Sequence, residues 1–310
     1  MTQTAARKLA VIGAGNMGNA IASLFVSHGW PTVLIDPSDT ARANSRQRLL
    51  AALPQSASLL SWEAELQAAH DASLIIEAAP EVLNLKQGIF AQLEACCAPT
   101  ALIATNTSGI SINQLATGLK HPERFLGTHF FTPADVIPLV EVIACDHTVE
   151  AHIHNVMNLL RSVGKLPVHV RKDVPGFIGN RLQHALAREA MSLLENGVAS
   201  AEDIDTVAKW ALGIRLAITG PLEQRDINGL DVHHAITEYL YPDLENRQTP
   251  SQILSEKVRQ GHLGVKTGRG FYDWAAPERK AALQQKDATL RALVALLGDR
   301  AGAQDEPSGL

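Results

Sequence analysis

The chain of 310 residues is 46% hydrophobic and 19% charged, which is the composition of a globular protein with one large domain or two medium ones. Its formal net charge of -5 provides no basic surface for a phosphate backbone, so we do not expect nucleic acid as a partner. The start is short and polar, and no apolar stretch is long enough to cross a bilayer. We therefore expect no membrane association. Three cysteines, two of them adjacent, fit a reducing compartment, so we expect a cytoplasmic location.

Short β-rich runs alternate with helical stretches in the first half of the chain, which predicts βαβ units around a doubly wound, mainly parallel sheet. The predicted strands lie at residues 9–12, 32–35, 74–76, 101–104, 125–130, 137–143 and 168–170.

A proline and a glycine near residue 175 end this pattern, and the rest of the chain is predicted to be helical. The sequence therefore predicts an α/β domain over residues 1–174 and an all-helical domain over residues 175–310. Its predicted helices lie at residues 182–196, 201–211, 229–239 and 253–260, with a charged helix from 277 to about 297 and a disordered tail after about 298.

A glycine-rich turn follows the first predicted strand directly. Gly13, Gly15 and Gly18 form a GxGxxG pattern around Asn16 and Met17, and a stretch compatible with a helix comes next. In this context the glycines can form a tight turn and let backbone N–H groups approach a pyrophosphate. These five residues therefore predict the dinucleotide site of a Rossmann-type fold.

Asp36 ends the second predicted strand, where a carboxylate accepts hydrogen bonds from the adenosine ribose hydroxyls. A 2′-phosphate would be repelled at this point, so the sequence favours NAD over NADP. The alternative is that Asp36 only caps the strand before Pro37. Flavin is the main rival cofactor for such a fold, and the residues beyond this site argue against it.

Further short motifs follow in a fixed order along the chain. They are EAAPE at residues 77–81, NTS at 106–108, THFFTP at 128–133, IPLVEV at 137–142, DVPGFIGNR at 173–181, GP at 220–221 and GRGFY at 268–272. Together they resemble the 3-hydroxyacyl-CoA dehydrogenase family over nearly the whole chain up to Trp274.

The resemblance implies a catalytic set of four residues. His129 would take the proton from the substrate hydroxyl as hydride leaves carbon 3, because an imidazole ordinarily titrates near working pH. Glu141 would hydrogen-bond the other ring nitrogen and stabilise the imidazolium. Ser108 and Asn180 match positions that hydrogen-bond the reacting oxygen and the neighbouring carbonyl. Without the motifs, the same residues would fit a structural histidine, a turn serine and a helix cap.

Three more residues match family positions that line the nicotinamide end of the cofactor, namely Glu81, Lys86 and Asn106. For Lys86 the alternative is an exposed helix lysine. We expect no metal, because hydride transfer with a histidine base needs none and the remaining histidines lack partners at ligand spacing.

The substrate side departs from the family pattern. Between Asp36 and Leu59 the chain carries one helical segment and a short connection, whereas family members that act on CoA thioesters carry a longer helical hairpin that contacts CoA. Arg215 has no counterpart in the enzymes that act on acyl-CoA, and at this position the chain resembles relatives that oxidise free acids, such as L-gulonate 3-dehydrogenase and carnitine dehydrogenase. A guanidinium can hold a carboxylate with two hydrogen bonds. We therefore expect a small free 3-hydroxycarboxylate as substrate. A short 3-hydroxyacyl-CoA such as 3-hydroxybutyryl-CoA is the second choice, with Arg215 then in an ion pair at the surface or a subunit contact.

Other protein classes remain as alternatives. One branch of the family includes a lens crystallin, so a non-catalytic NAD-binding protein is one alternative, and the complete catalytic set speaks against it. Lysine-dependent β-hydroxyacid dehydrogenases share the two-domain plan, but residues 179–196 contain no lysine for that role. The resemblance also implies a homodimer formed through the helical half.

Overall fold

A computed structural model of the chain describes residues 7–304, with side chains described as far as residue 298. The chain divides into two compact units, the first ending at Arg181 and the second beginning at Leu182.

The first unit is built on a mixed but mostly parallel sheet. Within the described residues its strands are β1 (Leu9–Ile12), β2 (Thr32–Ile35), β3 (Leu60–Glu63), β4 (Leu74–Glu77), β5 (Leu102–Thr105), β6 (Phe125–Phe130), β7 (Leu139–Ala144) and β8 (Leu166–Val170). They form one sheet in the order β3-β2-β1-β4-β5-β6-β7-β8, in which only β6 and β7 pair antiparallel. The prediction of a doubly wound, mainly parallel sheet is confirmed.

Helices cover both faces of this sheet. They are α1 (Asn16–Ser27), α2 (Asp39–Ala52), α3 (Leu83–Cys96), α4 (Ile112–Ala116), α5 (Glu150–Ser162) and the start of α6 (Gly179–Glu195). One apolar cluster contains Phe25 and Trp30, and a second contains Phe90 and Phe125. Since β1, β2, β4 and β5 are buried at every residue, their sequences are continuous apolar runs rather than alternating ones.

This topology brings several of the predicted site residues to one edge of the sheet. The carboxyl ends of parallel strands share an edge, and ligands of open α/β sheets bind there. The glycine turn follows β1, Asp36 follows β2, and Asn106 follows β5. The edge therefore collects residues that lie far apart in the sequence.

One strand was not predicted. Strand β3 reads Leu-Ser-Trp-Glu, and only its first residue is buried because the strand lies at the edge of the sheet. Such a short and largely polar run carries too weak a signal to be separated from a loop. The predicted strand at 137–143 begins instead at Leu139, after Pro138, whose nitrogen has no hydrogen to donate to a ladder.

The second unit is helical throughout its described residues, apart from isolated bridges around Arg269. Beyond α6 it contains α7 (Ala201–Val207), a π-helical turn (Ala208–Gly213), α8 (Ile214–Leu216), α9 (Pro221–Asn228), α10 (Leu230–Leu240), α11 (Gln252–Arg259) and α12 (Pro277–Gln304).

Two parts of this unit differ from the sequence prediction or extend it. Helix α9 was not predicted, although Pro221 at its first position and the Glu223 side chain, which accepts from the Gly220 N–H, form a recognisable start. Helix α12 continues to Gln304, beyond the point where we predicted a disordered tail, and residues 305–310 lie outside the described residues. None of the helices described here has the length and apolar character needed to span a bilayer.

Candidate active site

The antiparallel pairing of β6 with β7 places His129 directly opposite Glu141. Nδ1 of His129 lies 2.8 Å from Oε2 of Glu141, and both side chains are buried. A carboxylate can only accept, so Nδ1 carries the hydrogen and the lone pair remains on Nε2. The pair can therefore take a proton at Nε2.

The start of α6 holds the second oxygen of Glu141. Oε1 accepts hydrogen bonds from the backbone N–H groups of Ile178 at 2.9 Å and Gly179 at 2.8 Å. Burial alone would raise the pKa of Glu141, but the hydrogen bonds from His129 and these N–H groups outweigh it and hold the pKa below its usual value. Glu141 is thus an ionised orienting group for His129.

Aromatic rings flank the imidazole of His129. The ring centroid of Phe131 lies 4.6 Å away and that of Phe177 lies 5.7 Å away. Phe177 and His129 are almost entirely buried, so the rings restrict the imidazole to a narrow range of orientations.

Lys165 anchors the loop between β6 and β7. Its buried Nζ donates to the carbonyl oxygens of Ala134 at 2.5 Å and Ile137 at 2.8 Å. Burial lowers the pKa of Lys165 to about 8, against the opposing effect of the Asp135 charge. We assigned no role to Lys165 from the sequence, where a lysine just ahead of an apolar run was the only signal.

The structure also brings Ser108 and Asn180 together. Nδ2 of Asn180 donates to the backbone carbonyl of Ser108 at 2.7 Å, and Ser108 is exposed. Nearby, Oδ1 of Asn106 accepts from the N–H of Phe130 at 2.9 Å, next to His129. The loop after β5 therefore carries Asn106 and Ser108, and the first turn of α6 carries Asn180. The contact of Asn106 with Phe130 links this loop to β6.

Glu81 fixes the loop that carries Ser108. Its Oε1 accepts from the hydroxyl of Thr107 at 2.5 Å and from the N–H groups of Ser108 at 2.9 Å and Gly109 at 3.3 Å. Burial would raise the pKa of Glu81, but the Thr107 hydrogen bond, the Lys86 charge and the Ser108 N–H lower it overall. The carboxylate of Glu81 therefore positions Ser108 through the protein backbone.

Lys86 forms a buried ion pair at the end of β4. Its Nζ donates to Oε1 of Glu77 at 2.6 Å and to the carbonyl of Ala79 at 3.1 Å, and it lies 3.4 Å from Oε2 of Glu81. The other oxygen of Glu77 accepts from the Thr105 hydroxyl at 2.6 Å. Lys86 is only 1% exposed, so the alternative of an exposed helix lysine is wrong, and its place at the nicotinamide end of the cofactor stays a prediction. Glu77 is a second residue to which we assigned no role from the sequence, where it appears only as part of a motif.

The glycine turn fits a dinucleotide. A Cβ on Gly13 would lie 2.7 Å from the carbonyl oxygen of Ala78, and one on Gly18 would overlap the carbonyl of Gly13, whereas the space beside Gly15 is open. Helix α1 begins here without a capping side chain and without an acidic residue in its first turn. Its positive end and open backbone therefore suit a pyrophosphate.

Asp36 and Met17 border this turn. Oδ2 of Asp36 accepts from the Ala14 N–H and Oδ1 accepts from the Ser38 N–H, each at 2.9 Å. A carboxylate has further lone pairs, which remain available for the hydroxyls of a ribose. The hydroxyl of Thr132 lies 3.3 Å from Sδ of Met17, which ties the glycine turn to the loop after His129.

Arg215 lies in α8 of the second unit. It is exposed, and its Nε donates to the carbonyl of Ala211 one turn earlier at 2.6 Å. Its role as a carboxylate anchor stays a prediction. Among the residues whose side chains are described, no group of three or more His, Cys, Asp or Glu is arranged to hold a metal ion.

Comparisons with known proteins agree with this geometry. The family described as 3-hydroxyacyl-CoA dehydrogenase, NAD binding domain, matches residues 8–174, and the C-terminal domain of the same family matches residues 176–274.

Individual relatives show the same likeness along most of the chain. The 5-formyl-3-hydroxy-2-methylpyridine 4-carboxylate 5-dehydrogenase of Mesorhizobium japonicum is 34% identical over 94% of this chain and 97% of its own. The crystal structure of a 5-dehydrogenase for this same pyridine carboxylate, titled an NAD+ dependent dismutase, superposes with a TM-score of 0.85, at 34% identity over 94% of this chain and 97% of that one.

Two relatives named as 3-hydroxybutyryl-CoA dehydrogenases each match 86% of this chain. The 3-hydroxybutyryl-CoA dehydrogenase of Clostridioides difficile is 36% identical over 86% of this chain and 99% of its own. The (S)-3-hydroxybutyryl-CoA dehydrogenase of Ralstonia eutropha superposes with a TM-score of 0.71 at 33% identity, over 86% of this chain and 98% of that one. The chain therefore belongs to the 3-hydroxyacyl-CoA dehydrogenase family and is an NAD-dependent oxidoreductase acting on CH–OH groups.

Proposed function

We propose that this protein reversibly oxidises the 3-hydroxyl group of a small free 3-hydroxycarboxylate to a 3-oxo group. The observation that carries the proposal is the short connection between β2 and β3, which consists of α2 and one 3₁₀ turn, Pro54–Leu59. The family resemblance implies a longer helical hairpin at this point in members that bind CoA. A chain with a single helix there offers less surface to a CoA group.

A relative named for a free carboxylate supports a substrate that carries no CoA. The Mesorhizobium enzyme, whose name specifies a pyridine carboxylate, matches a larger share of this chain than the 3-hydroxybutyryl-CoA dehydrogenases do. The 5-dehydrogenase structure for that pyridine carboxylate also superposes with a higher TM-score than the Ralstonia structure does.

Arg215 supplies the charge that a free carboxylate requires. Its guanidinium can form two parallel hydrogen bonds to a carboxylate. A CoA thioester has no carboxylate at the corresponding carbonyl. Arg215 lies in α8, which follows directly after the π-helical turn Ala208–Gly213, and such turns occur often at functional sites. We propose Arg215 as the carboxylate anchor.

The chemistry follows from the His129 and Glu141 pair. When bound, NAD supplies the acceptor for the hydride. Nε2 of His129 takes the hydroxyl proton, and Glu141 stabilises the imidazolium that results because it is ionised and hydrogen-bonded to Nδ1. Ser108 and Asn180 hydrogen-bond the reacting oxygen and the neighbouring carbonyl, and so hold the carbon in position for hydride transfer.

A short 3-hydroxyacyl-CoA is the second candidate substrate. It is favoured by the 36% identity to the Clostridioides 3-hydroxybutyryl-CoA dehydrogenase. With that substrate, Arg215 would belong to an ion pair rather than to the site.

A substrate panel with Arg215→Ala distinguishes the two candidates. We expect the wild-type protein to reduce NAD faster with free 3-hydroxy acids than with 3-hydroxybutyryl-CoA, measured by NADH absorbance. Loss of one charge-assisted contact at an exposed site should raise the KM of the free acid by about tenfold, with little change in kcat. NAD binding should stay unchanged.

Arg259→Ala is the matched control, because Arg259 is also an exposed helix arginine of the second unit and pairs with Glu256. It should leave every KM unchanged. Faster turnover of the thioester, together with an unchanged KM in Arg215→Ala, would reject the free-acid proposal.

We also propose that the chain forms a homodimer through its second unit. Large apolar side chains of this unit are exposed in the single chain, among them Trp210 at 73%, Leu222 at 81% and Leu230 at 62%. Apolar surface of this extent is typical of a protein interface. Light scattering of the purified protein should give twice the chain mass, and a monomer at micromolar concentration would contradict the proposal.

A further inference from the structure

Three arginines project from α2, and two of them have partners away from the glycine turn. Arg42 donates to the backbone carbonyl of Asp36 at 2.5 Å and pairs with Asp39. The guanidinium of Arg46 lies 5.7 Å from the ring centre of Trp62. These contacts stabilise α2 itself and its packing. The third arginine, Arg48, has a partner on α1 instead.

A buried network locks α2 onto the glycine turn. The Ser45 hydroxyl donates to Oδ1 of Asn19 at 2.6 Å and accepts from Nε1 of Trp62 at 2.9 Å. Nδ2 of Asn19 in turn donates to the carbonyl oxygens of Ala14 and Gly15, both at 2.7 Å. The helix is therefore fixed relative to the turn by hydrogen bonds that are buried or partly buried.

Arg48 lies on the same face of α2 as Ser45, because residues three apart on a helix are neighbours. Ser45 contacts Asn19, and Nη1 of Arg48 donates to Oδ1 of Asn16 at 3.0 Å. Arg48 is three residues after Ser45 on α2, and its partner Asn16 is three residues before Asn19 on α1. Asn16 is the first residue of α1. The guanidinium of Arg48 consequently sits beside the N-terminus of α1.

The charges at this point call for an anion. The N-terminus of α1 carries the positive end of the helix dipole, and no acidic side chain of its first turn offsets it. The guanidinium of Arg48 adds a full positive charge to the same place, with a neutral amide oxygen as its partner. A pyrophosphate with two negative charges would complement both features.

We propose that Arg48 is a cofactor-binding residue whose guanidinium pairs with the pyrophosphate of NAD. Asn16 holds the guanidinium at the edge of the glycine turn in the free protein, so little side-chain freedom remains to be lost on binding. This role depends on the cofactor and not on which hydroxy acid is the substrate.

Calorimetric titration with two fragments of the cofactor tests the proposal without turnover. ADP-ribose contains the pyrophosphate, whereas adenosine contains none of its charge. Arg48→Met keeps the length of the apolar stem and should raise the Kd of ADP-ribose by about tenfold while the Kd of adenosine stays unchanged. The affinity of the variant for ADP-ribose should also fall less steeply with salt than that of the wild type.

Two further variants make the result specific. Arg48→Lys keeps the charge and should recover part of the lost ADP-ribose affinity, whereas Arg46→Met removes a neighbouring exposed arginine of the same helix and should change neither Kd. Wild-type affinity of Arg48→Met for ADP-ribose would overturn the proposal. Equal weakening of ADP-ribose and adenosine would also overturn it, because the effect would then come from a distorted site.

Discussion

Glu141→Gln is expected to lower kcat by about 1,000-fold or more while the protein stays folded. The amide oxygen of the glutamine can still accept from the N–H groups of Ile178 and Gly179. Its NH₂ group then faces Nδ1 of His129 and can only donate, which moves the ring hydrogen to Nε2. A protonated Nε2 cannot take the proton of the substrate hydroxyl.

To isolate this effect, kcat, NADH affinity and thermal stability of Glu141→Gln are each compared with those of the wild type. We expect the two latter quantities to stay near their wild-type values, because Glu and Gln have the same shape and Glu141 lies on the strand and not in the glycine turn. Glu141→Asp is the control for charge without correct reach, and it should retain more activity than Glu141→Gln if the ionised group matters more than its position. A kcat within tenfold of wild type in Glu141→Gln would contradict the proposed role.

The acid side of the pH dependence follows from the same contacts. Because the pKa of Glu141 is lower in the folded protein than its ordinary value, the hydrogen bonds to Glu141 stabilise the fold above that ordinary value. The stabilisation is lost progressively as pH falls from that ordinary value through the lowered pKa. The His129 and Glu141 pair should therefore keep its carboxylate ionised throughout the pH range in which the enzyme works.

The sequence predicts His129 and Glu141 as the reacting residues, but it does not provide their geometry. His129 and Glu141 were chosen by motif, and a separation of twelve residues is compatible with many arrangements. The antiparallel register of β6 and β7 makes them direct neighbours. The loop that joins these strands is held by Lys165, whose two carbonyl contacts lie about thirty residues earlier in the chain and have no local signature.

The contacts of the buried Glu77 carboxylate could not be predicted from the sequence either. Its partners Lys86 and Thr105 come from α3 and the end of β5, and only the parallel order of β4 and β5 brings them together. Sequence patterns report which residues are apolar or helical, whereas the pairing of buried polar groups is decided by tertiary packing. For this reason the sequence left open an exposed helix lysine at Lys86, which the structure contradicts, whereas its role at the nicotinamide end of the cofactor stays a prediction.

The glycine turn was the most predictable part of the site, because strand, turn and helix are contiguous in the sequence. Arg48 belongs to the same site by geometry, yet nothing in its neighbourhood along the chain distinguishes it from Arg46. Its position follows from the packing of α2 on α1 through Ser45 and Asn19. Local motifs therefore locate the cofactor, and helix packing determines which side chains reach it.

Two alanine substitutions in the glycine turn are expected to abolish strong NAD binding for different physical reasons. Gly15 has φ -74° and ψ -170°, which alanine adopts readily, and the space beside it is open. Gly15→Ala should therefore keep the free protein as stable as wild type, or more stable by about 0.4–1 kcal/mol because the unfolded chain loses freedom. Its Cβ would occupy the space that the pyrophosphate needs, at a cost of about 1–3 kcal/mol, or roughly 5- to 150-fold in the Kd of NADH.

Gly18→Ala places its Cβ against the backbone of Gly13 and within 3.3 Å of Val11, so the turn itself must move. We expect this variant to lose about 3 kcal/mol or more of its free energy of unfolding, and its NADH affinity with it. Denaturant unfolding and NADH fluorescence titration of both variants separate the two effects. If Gly15→Ala bound NADH as tightly as wild type, the open space beside Gly15 would not be the pyrophosphate site, and the cofactor would have to approach α1 from another side.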